Sequence, residues 1–223
     1  MKIQNLFEGP VLLLDGAMGT MLQRAGLPLG QQPESFNLTH PDVVQGIHQA
    51  YFEAGSRAVV TNTFGANERK LAAGRLAVEE VIGAAVSIAR RAAAPFGGLV
   101  GLDIGPIGEL LEPMGLLSFE EAYEIFARQV RQGARSGADF IAIETMSDLY
   151  EAKAAVLAAK ENCSLPVFCT LSFQEDGRTF TGCDIPSMAL TLSGLGVDAL
   201  GINCSLGPVE IRPLCEELVK WTD

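Results

Sequence analysis

The chain has 223 residues and a formal net charge of −11. The length suffices for one domain with a substantial core, and the 48% apolar content lies well above the disordered range. The acidic balance excludes a surface built for nucleic acid or for an anionic membrane, both of which need clustered Lys and Arg, and leaves a soluble cytoplasmic protein as the expectation.

Met1 to Pro10 has no apolar core of the kind a signal peptide needs, and no apolar run is long enough to span a bilayer. Val11 to Leu14 reads as a buried strand ending at Asp15-Gly16. Pro41 to Ala54 reads as a helix, with Pro at its start and Gly55 after its end. Arg57 to Thr61 is the next strand. Glu68 to Ala94 is helical, with Gly74 and Gly83 as candidate breaks, and Pro95 ends it. Leu99 to Leu102 is a third strand, followed by Asp103-Ile104-Gly105-Pro106.

Ser118 and Glu121 have capping-box spacing, so a helix runs from there to about Ser136, ended by Gly137. Phe140 to Ile143 is a fourth strand, ending at Glu144-Thr145. Ser147 or Asp148 caps a helix to about Glu161. Pro166 to Leu171 is a strand, Ile185 to Leu195 a helix, Ala199 to Ile202 a sixth strand, and Glu210 to Trp221 a last helix. Six βα units without a linker predict one domain over 1–223. Uniformly apolar strands alternating with helices predict a parallel sheet buried on both faces. A barrel and a doubly wound open sheet both fit that alternation. A complete (β/α)8 TIM-type barrel needs eight units and about 250 residues, so this chain reads as a barrel truncated to about six βα units.

Polar residues gather at the C-terminal ends of the strands: Asp15, Asn62, Asp103, Glu144, Ser172, and Asn203 with Cys204. In a parallel barrel those ends converge on one mouth, where active sites lie. The glycines after Asp15 could let backbone N–H groups approach a small anion. Glu144 closes an apolar strand and needs a donor or a cation, such as a substrate ammonium. Cys204 could serve as metal ligand, nucleophile or inert buried thiol. Cys163, Cys169, Cys183 and Cys215 read as structural, with Cys215 on the core side of its helix. The odd cysteine count, without C-x-x-C, argues against a disulfide framework. His40 reads as a loop or cap residue and His48 as a helix-face residue. No lysine stands at a strand end, which disfavours a Schiff-base aldolase.

Four segments together resemble the homocysteine S-methyltransferase family. They are Asp15-Gly16-Ala17-Met18-Gly19-Thr20, Thr61-Asn62-Thr63-Phe64, Ile143-Glu144-Thr145, and Gly201-Ile202-Asn203-Cys204-Ser205-Leu206-Gly207-Pro208. Thr181-Gly182-Cys183-Asp184 is similar to the family's loop after the fifth strand. The likeness covers essentially the whole chain and is nearest to the homocysteine-binding domain of cobalamin-dependent methionine synthase. It implies transfer of a methyl group to the thiolate of homocysteine, giving methionine. It places Asp15, Gly16, Thr61, Asn62, Glu144 and Asn203 around the substrate. It also implies a zinc ion held by three cysteines, of which Cys204 matches the first. The family's Gly-Gly-Cys-Cys-Gly segment, which carries the other two, has no counterpart here. The zinc site is therefore expected to be incomplete and the chain by itself inactive, with a non-catalytic amino-acid-binding module or regulatory remnant as the alternative. The resemblance favours methylcobalamin as donor, on a separate corrinoid-binding domain or protein. Betaine, S-methylmethionine and a methylated corrinoid protein stay open as donors. Open sheet edges further predict self-association into a homo-oligomer.

Overall fold

Five short runs rich in Val, Ile, Leu and Phe form parallel strands: β1 (Ala58–Val60), β2 (Leu99–Ile104), β3 (Phe140–Met146), β4 (Val167–Leu171) and β5 (Ala199–Ile202). The computed structural model describes residues 11–222. The reading of Met1 to Pro10 as free of a signal peptide falls outside the described residues, as does Asp223. Nine α-helices are described: α1 (Gly19–Arg24), α2 (Phe36–Thr39), α3 (Pro41–Glu53), α4 (Glu68–Leu71), α5 (Val78–Ala93), α6 (Phe119–Ser136), α7 (Leu149–Asn162), α8 (Ile185–Gly194) and α9 (Pro208–Leu218). None is long and apolar enough to cross a membrane.

The strands pair in chain order, β1-β2-β3-β4-β5, all parallel. A doubly wound sheet reverses its order at a switch point. This sheet does not, so it follows the barrel path, and among the described residues it is not closed. The expected count of six strands is corrected to five. Val11 to Leu14 runs beside β1 without joining the sheet as a strand. Leu13 carbonyl accepts from Arg57 N–H at 2.8 Å, but the next outward N–H of β1, that of Val60, is taken by the Asp15 carboxylate at 3.1 and 3.2 Å. A side chain replaces the backbone carbonyl, and the ladder stops there.

Side chains alternate across each strand. Ala58, Phe140 and Ala142 are buried on the inner face, with Leu12, Val60, Leu99 and Phe168 against them. Leu102, Ile104, Ile141, Ile143, Val167, Cys169 and Leu171 point outward into the main core, where they meet α5 to α8. Burying Phe140 fully contributes about 1.5–3 kcal/mol. Gly101 lies opposite Phe140 in the β2–β3 register, and a Cβ there would run into the Phe140 ring.

Local signals set most helix ends. The Ser118–Glu121 capping box is formed, and Gly137 (φ 97°) ends α6 in the left-handed conformation. The expected Glu68–Ala94 helix is two: the chain breaks at Ala72–Gly74 and Arg75 (φ 52°), while Gly83 stays helical. β2 and β3 reach further than expected, so Asp103 and Glu144 belong to strands rather than to loops. Aspartates at the strand entries recur as ties. Asp139 accepts from Val100 N–H at 2.8 Å and pairs with Arg90, and Asp198 accepts from Val167 N–H at 2.9 Å and pairs with Lys160. α9 buries Leu218 and half-buries Leu214, which share one face at i, i+4 spacing. Cys215 lies one position off that face and is exposed, which corrects its expected core placement.

Gly101→Ala is expected to destabilise the fold by about 1–3 kcal/mol through overpacking against Phe140. Phe140→Leu in the same background should recover part of that loss. Urea unfolding of the two single variants and the double variant checks the coupling.

Candidate active site

The inner face of the sheet changes from apolar to polar as the strands run toward their C-terminal ends. On β2 it reads Leu99, Gly101, Asp103, and on β3 Phe140, Ala142, Glu144. A cavity of about 800 Å³ opens at that end. It is lined by Asp15, Gly16, Thr61, Asn62, Glu144, Asn203 and Cys204, so the structure brings together every site residue expected from the sequence. Glu34, Phe64, Lys70 and Asp103 share the lining. Ser172 does not contribute to it. Thr181, Gly182 and Cys183 line a separate depression with Tyr150 and Lys153. His40 stacks on Phe36 at 4.3 Å, away from the cavity lining.

Asn203 ties three strand ends together. Its Oδ1 accepts from Thr145 N–H at 3.0 Å and from Thr170 Oγ1 at 2.9 Å. Its Nδ2 donates to Thr145 Oγ1 at 2.8 Å and to Cys204 Sγ at 3.7 Å. Thr145 Oγ1 donates in turn to Cys204 Sγ at 3.5 Å. The register of β3 against β4 shifts between Ile143 and Met146, and Thr145 has φ 59°. That bulge re-aims the end of the strand. Cys204 (φ 57°) and Ser205 (φ 53°) also take the left-handed conformation, which costs roughly 1–2 kcal/mol for each residue with a Cβ. Ser205 Oγ donates to Phe173 carbonyl at 2.6 Å and pins the turn. The result is an exposed thiol whose sulfur accepts two hydrogen bonds.

Thr61 and Asn62 line the cavity while their polar atoms hold its frame. Thr61 Oγ1 accepts from Asp103 N–H at 3.1 Å and bonds Thr63 Oγ1 at 2.6 Å, and Thr63 Oγ1 donates to Asp103 carbonyl at 2.7 Å. Asn62 Nδ2 donates to Pro33 carbonyl at 2.8 Å and to Asn37 Oδ1 at 3.1 Å. Tyr51 hydroxyl donates to Ala17 carbonyl at 2.9 Å, and its ring lies about 3.0 Å from where a Gly16 Cβ would stand. A side chain at Gly16 would press on that ring.

The homocysteine S-methyltransferase family model matches residues 12–223. The chain belongs to the homocysteine S-methyltransferase family. Methionine synthase from Mycobacterium tuberculosis is 34% identical over 220 residues, covering 90% of this chain and 18% of that protein. Methionine synthase from Mycobacterium leprae is 33% identical over 229 residues, covering 94% and 19%. The chain thus spans less than a fifth of the length of these two relatives. Among solved structures, the metallated form of the homocysteine methyltransferase MmuM from Escherichia coli superposes with a TM-score of 0.88 at 23% identity, covering 98% of this chain and 83% of that one. That match shows the shared barrel-type fold.

In this family member the mouth is electrostatically acidic. Burial raises the Asp15 carboxyl to about 7, against the lowering effect of Val60 N–H. His48 is fully buried behind it, with Nδ1 3.9 Å from Asp15 Oδ2. Burial pushes the His48 imidazole down to about 4, so the two are not an ion pair at neutral pH. Burial also raises Asp103 well above its ordinary value, with repulsion from Glu144 and Asp15 adding to it. Glu144 is raised by burial as well. Lys70 donates to Pro106 carbonyl at 2.7 Å and sits 5.3 Å over the Phe64 ring, with Glu34 and Glu151 as its charge partners.

Sequence reasoning named Asp103 only as a strand-end polar residue and left Thr145, Thr170, Glu34, Lys70 and His48 out of the site. For Asp103 the signal was available: like Glu144, it ends an apolar inner row. For Glu34 and Lys70 there was none, because tertiary packing alone brings them to the mouth.

A buried carboxyl with a raised pKa holds its proton in the folded chain at pH values where the unfolded chain has released it. Stability from Asp15 is therefore present at low pH and is lost as pH rises from about 4 to about 7. Asp15→Asn should thus be more stable than the parent by an amount that grows over that interval and then levels off, reaching on the order of a few kcal/mol. Urea unfolding at pH 4, 5.5, 7 and 8 checks both the sign and the plateau.

Proposed function

We propose that this chain is the homocysteine-binding methyltransferase unit of a methionine-forming enzyme. One observation carries the reading: a family member whose cavity holds a carboxylate, Glu144 on β3, and a thiol, Cys204 just past β5, linked across the strand ends by Asn203 and Thr145. Homocysteine carries an ammonium, a carboxylate and a thiol on a short chain. Glu144 receives the ammonium. The Asp15-Gly16 turn orients the carboxylate end through backbone N–H groups. The thiol then points toward Cys204. Fixing three groups of one small substrate removes much of the entropic cost of reaction.

The reaction joins the substrate sulfur to the methyl carbon, breaks the bond between that carbon and its donor, and releases the thiol proton. A free thiol has a pKa near 8.5, so little thiolate exists at neutral pH without assistance. Zinc is the assistance that the family resemblance brings, and a structural or catalytic zinc takes at least three protein ligands. Among the described residues, no group of three His, Cys, Asp or Glu side chains could hold a metal ion. Cys204 offers one ligand, and the residues described do not complete the site. A second reading rests on that fact: these residues bind the amino acid, and methyl transfer needs ligands from outside them. The likeness to methionine synthase favours methylcobalamin as donor, carried on another domain or protein. The TM-score of 0.88 supports the five-strand sheet as the larger part of a (β/α)8 domain.

Calorimetric titration with L-homocysteine tests the reading. Saturable binding is expected, and Glu144→Gln should weaken it roughly 10–100-fold, the worth of one charged hydrogen bond. Absence of binding would overturn the proposal. Elemental analysis of the same samples should find well under one zinc per chain. About one per chain, lost in Cys204→Ala, would overturn the claim that the site is incomplete.

A further inference from the structure

Asp103 is the mouth carboxylate whose electrostatic need nothing among the described residues meets. It is 6% exposed, stands on the inner face of β2 and lines the cavity. Its backbone is fully engaged by Thr61 and Thr63, which fixes the position of the side chain. Its Oδ1 is buried and has no hydrogen-bond partner among the described residues. The charges that act on it are all of one sign, from Glu144 on β3, Asp15 before α1, Glu34 before α2 and Cys204 after β5. Lys70, the cation in the cavity lining, is turned to Pro106 carbonyl and to Glu34 and Glu151.

An unpaired buried carboxylate is costly, and a positioned polar group that waits for a partner is how a site selects a ligand. The missing partner must be a cation or a hydrogen-bond donor, and it must enter through the cavity. Given the reading of the cavity as a homocysteine site, on which this inference rests, the substrate ammonium is the group that fits. It has three N–H donors and can bridge more than one carboxylate.

We propose that Asp103 contacts the substrate ammonium together with Glu144 and so sets the preference of the cavity for thiols that carry a free amino group. The two carboxylates come from adjacent strands, β2 and β3, and both stand on the inner face at the polar end. A ligand without the amino group leaves both of them unpaired, which is the source of discrimination. Replacing Asp103 by the isosteric Asn keeps the shape, removes the carboxyl that can ionise against an ammonium, and lowers the penalty for leaving the position without a cation.

The test compares two ligands by calorimetry: L-homocysteine and 4-mercaptobutanoate, which is homocysteine without its amino group. The protein is measured unaltered and as Asp103→Asn, with Asp103→Ser in place of Asn if that variant does not fold. The unaltered protein should prefer homocysteine. In the variant that preference should fall at least tenfold, with affinity for 4-mercaptobutanoate unchanged or improved. A purely structural role would weaken both ligands alike and would overturn the proposal. So would a variant that keeps its preference while Glu144→Gln loses it, an outcome that leaves the homocysteine reading intact. If the unaltered protein binds neither ligand, the homocysteine reading fails and this inference fails with it.

Discussion

The amide of Asn203 is the interaction on which the site depends. Its oxygen and nitrogen between them hold the bulged end of β3, the last inward residue of β4 and the sulfur of Cys204. Three backbone positions nearby sit in the left-handed region without being glycine. Such strain persists only where the surroundings over-determine it, and here the amide and the Ser205–Phe173 bond do so. Removing the whole Asn203 amide would free Thr145 and Thr170 and take away one of the two hydrogen bonds to Cys204. The thiol is thus placed by a polar network rather than by packing.

Beneath that network the sheet supplies the platform. Inner positions are apolar where the strands begin and polar where they end, so one surface serves as core at its base and as a cavity wall at its top. Phe140 filling the space over Gly101 closes the base. The outer face, covered by α5 to α8, is apolar along the length of the central strands. This division lets carboxylates stand at the mouth without entering the core. It also explains why burial dominates their protonation: Asp15, Asp103 and Glu144 share a partly enclosed space with neighbours of the same charge.

Much of this was legible in the sequence. The alternation of short apolar runs with helical segments gave the parallel architecture, and the Ser118–Glu121 spacing located a helix start to the residue. The strand-end residues other than Ser172 fell into one cavity because a parallel sheet carries all its C-terminal ends to one side. What escaped reading has physical causes. Val11 to Leu14 has a strand's composition, but the Asp15 side chain takes the N–H that a further rung would need. Thr145 is unremarkable in sequence, since its role follows from a bulge that arises only when β3 pairs with β4. Glu34 reaches the cavity through a bond to Gly65 N–H, a contact between segments about thirty residues apart that no local pattern announces. Cys215 differs from the helix's inward residues by one position, a margin smaller than the uncertainty of a helix phase read from sequence.

The central claim is that one cavity holds homocysteine with its ammonium at the carboxylates of β2 and β3 and its sulfur at Cys204. A structure of the chain with L-homocysteine bound tests this most directly. The account predicts the ammonium at about 3 Å from a carboxylate oxygen of Glu144 or Asp103, with the sulfur turned toward Cys204 Sγ. An amino group lodged beside Lys70 and Glu34 with the sulfur pointing away from Cys204, or a ligand bound outside this cavity, would contradict it.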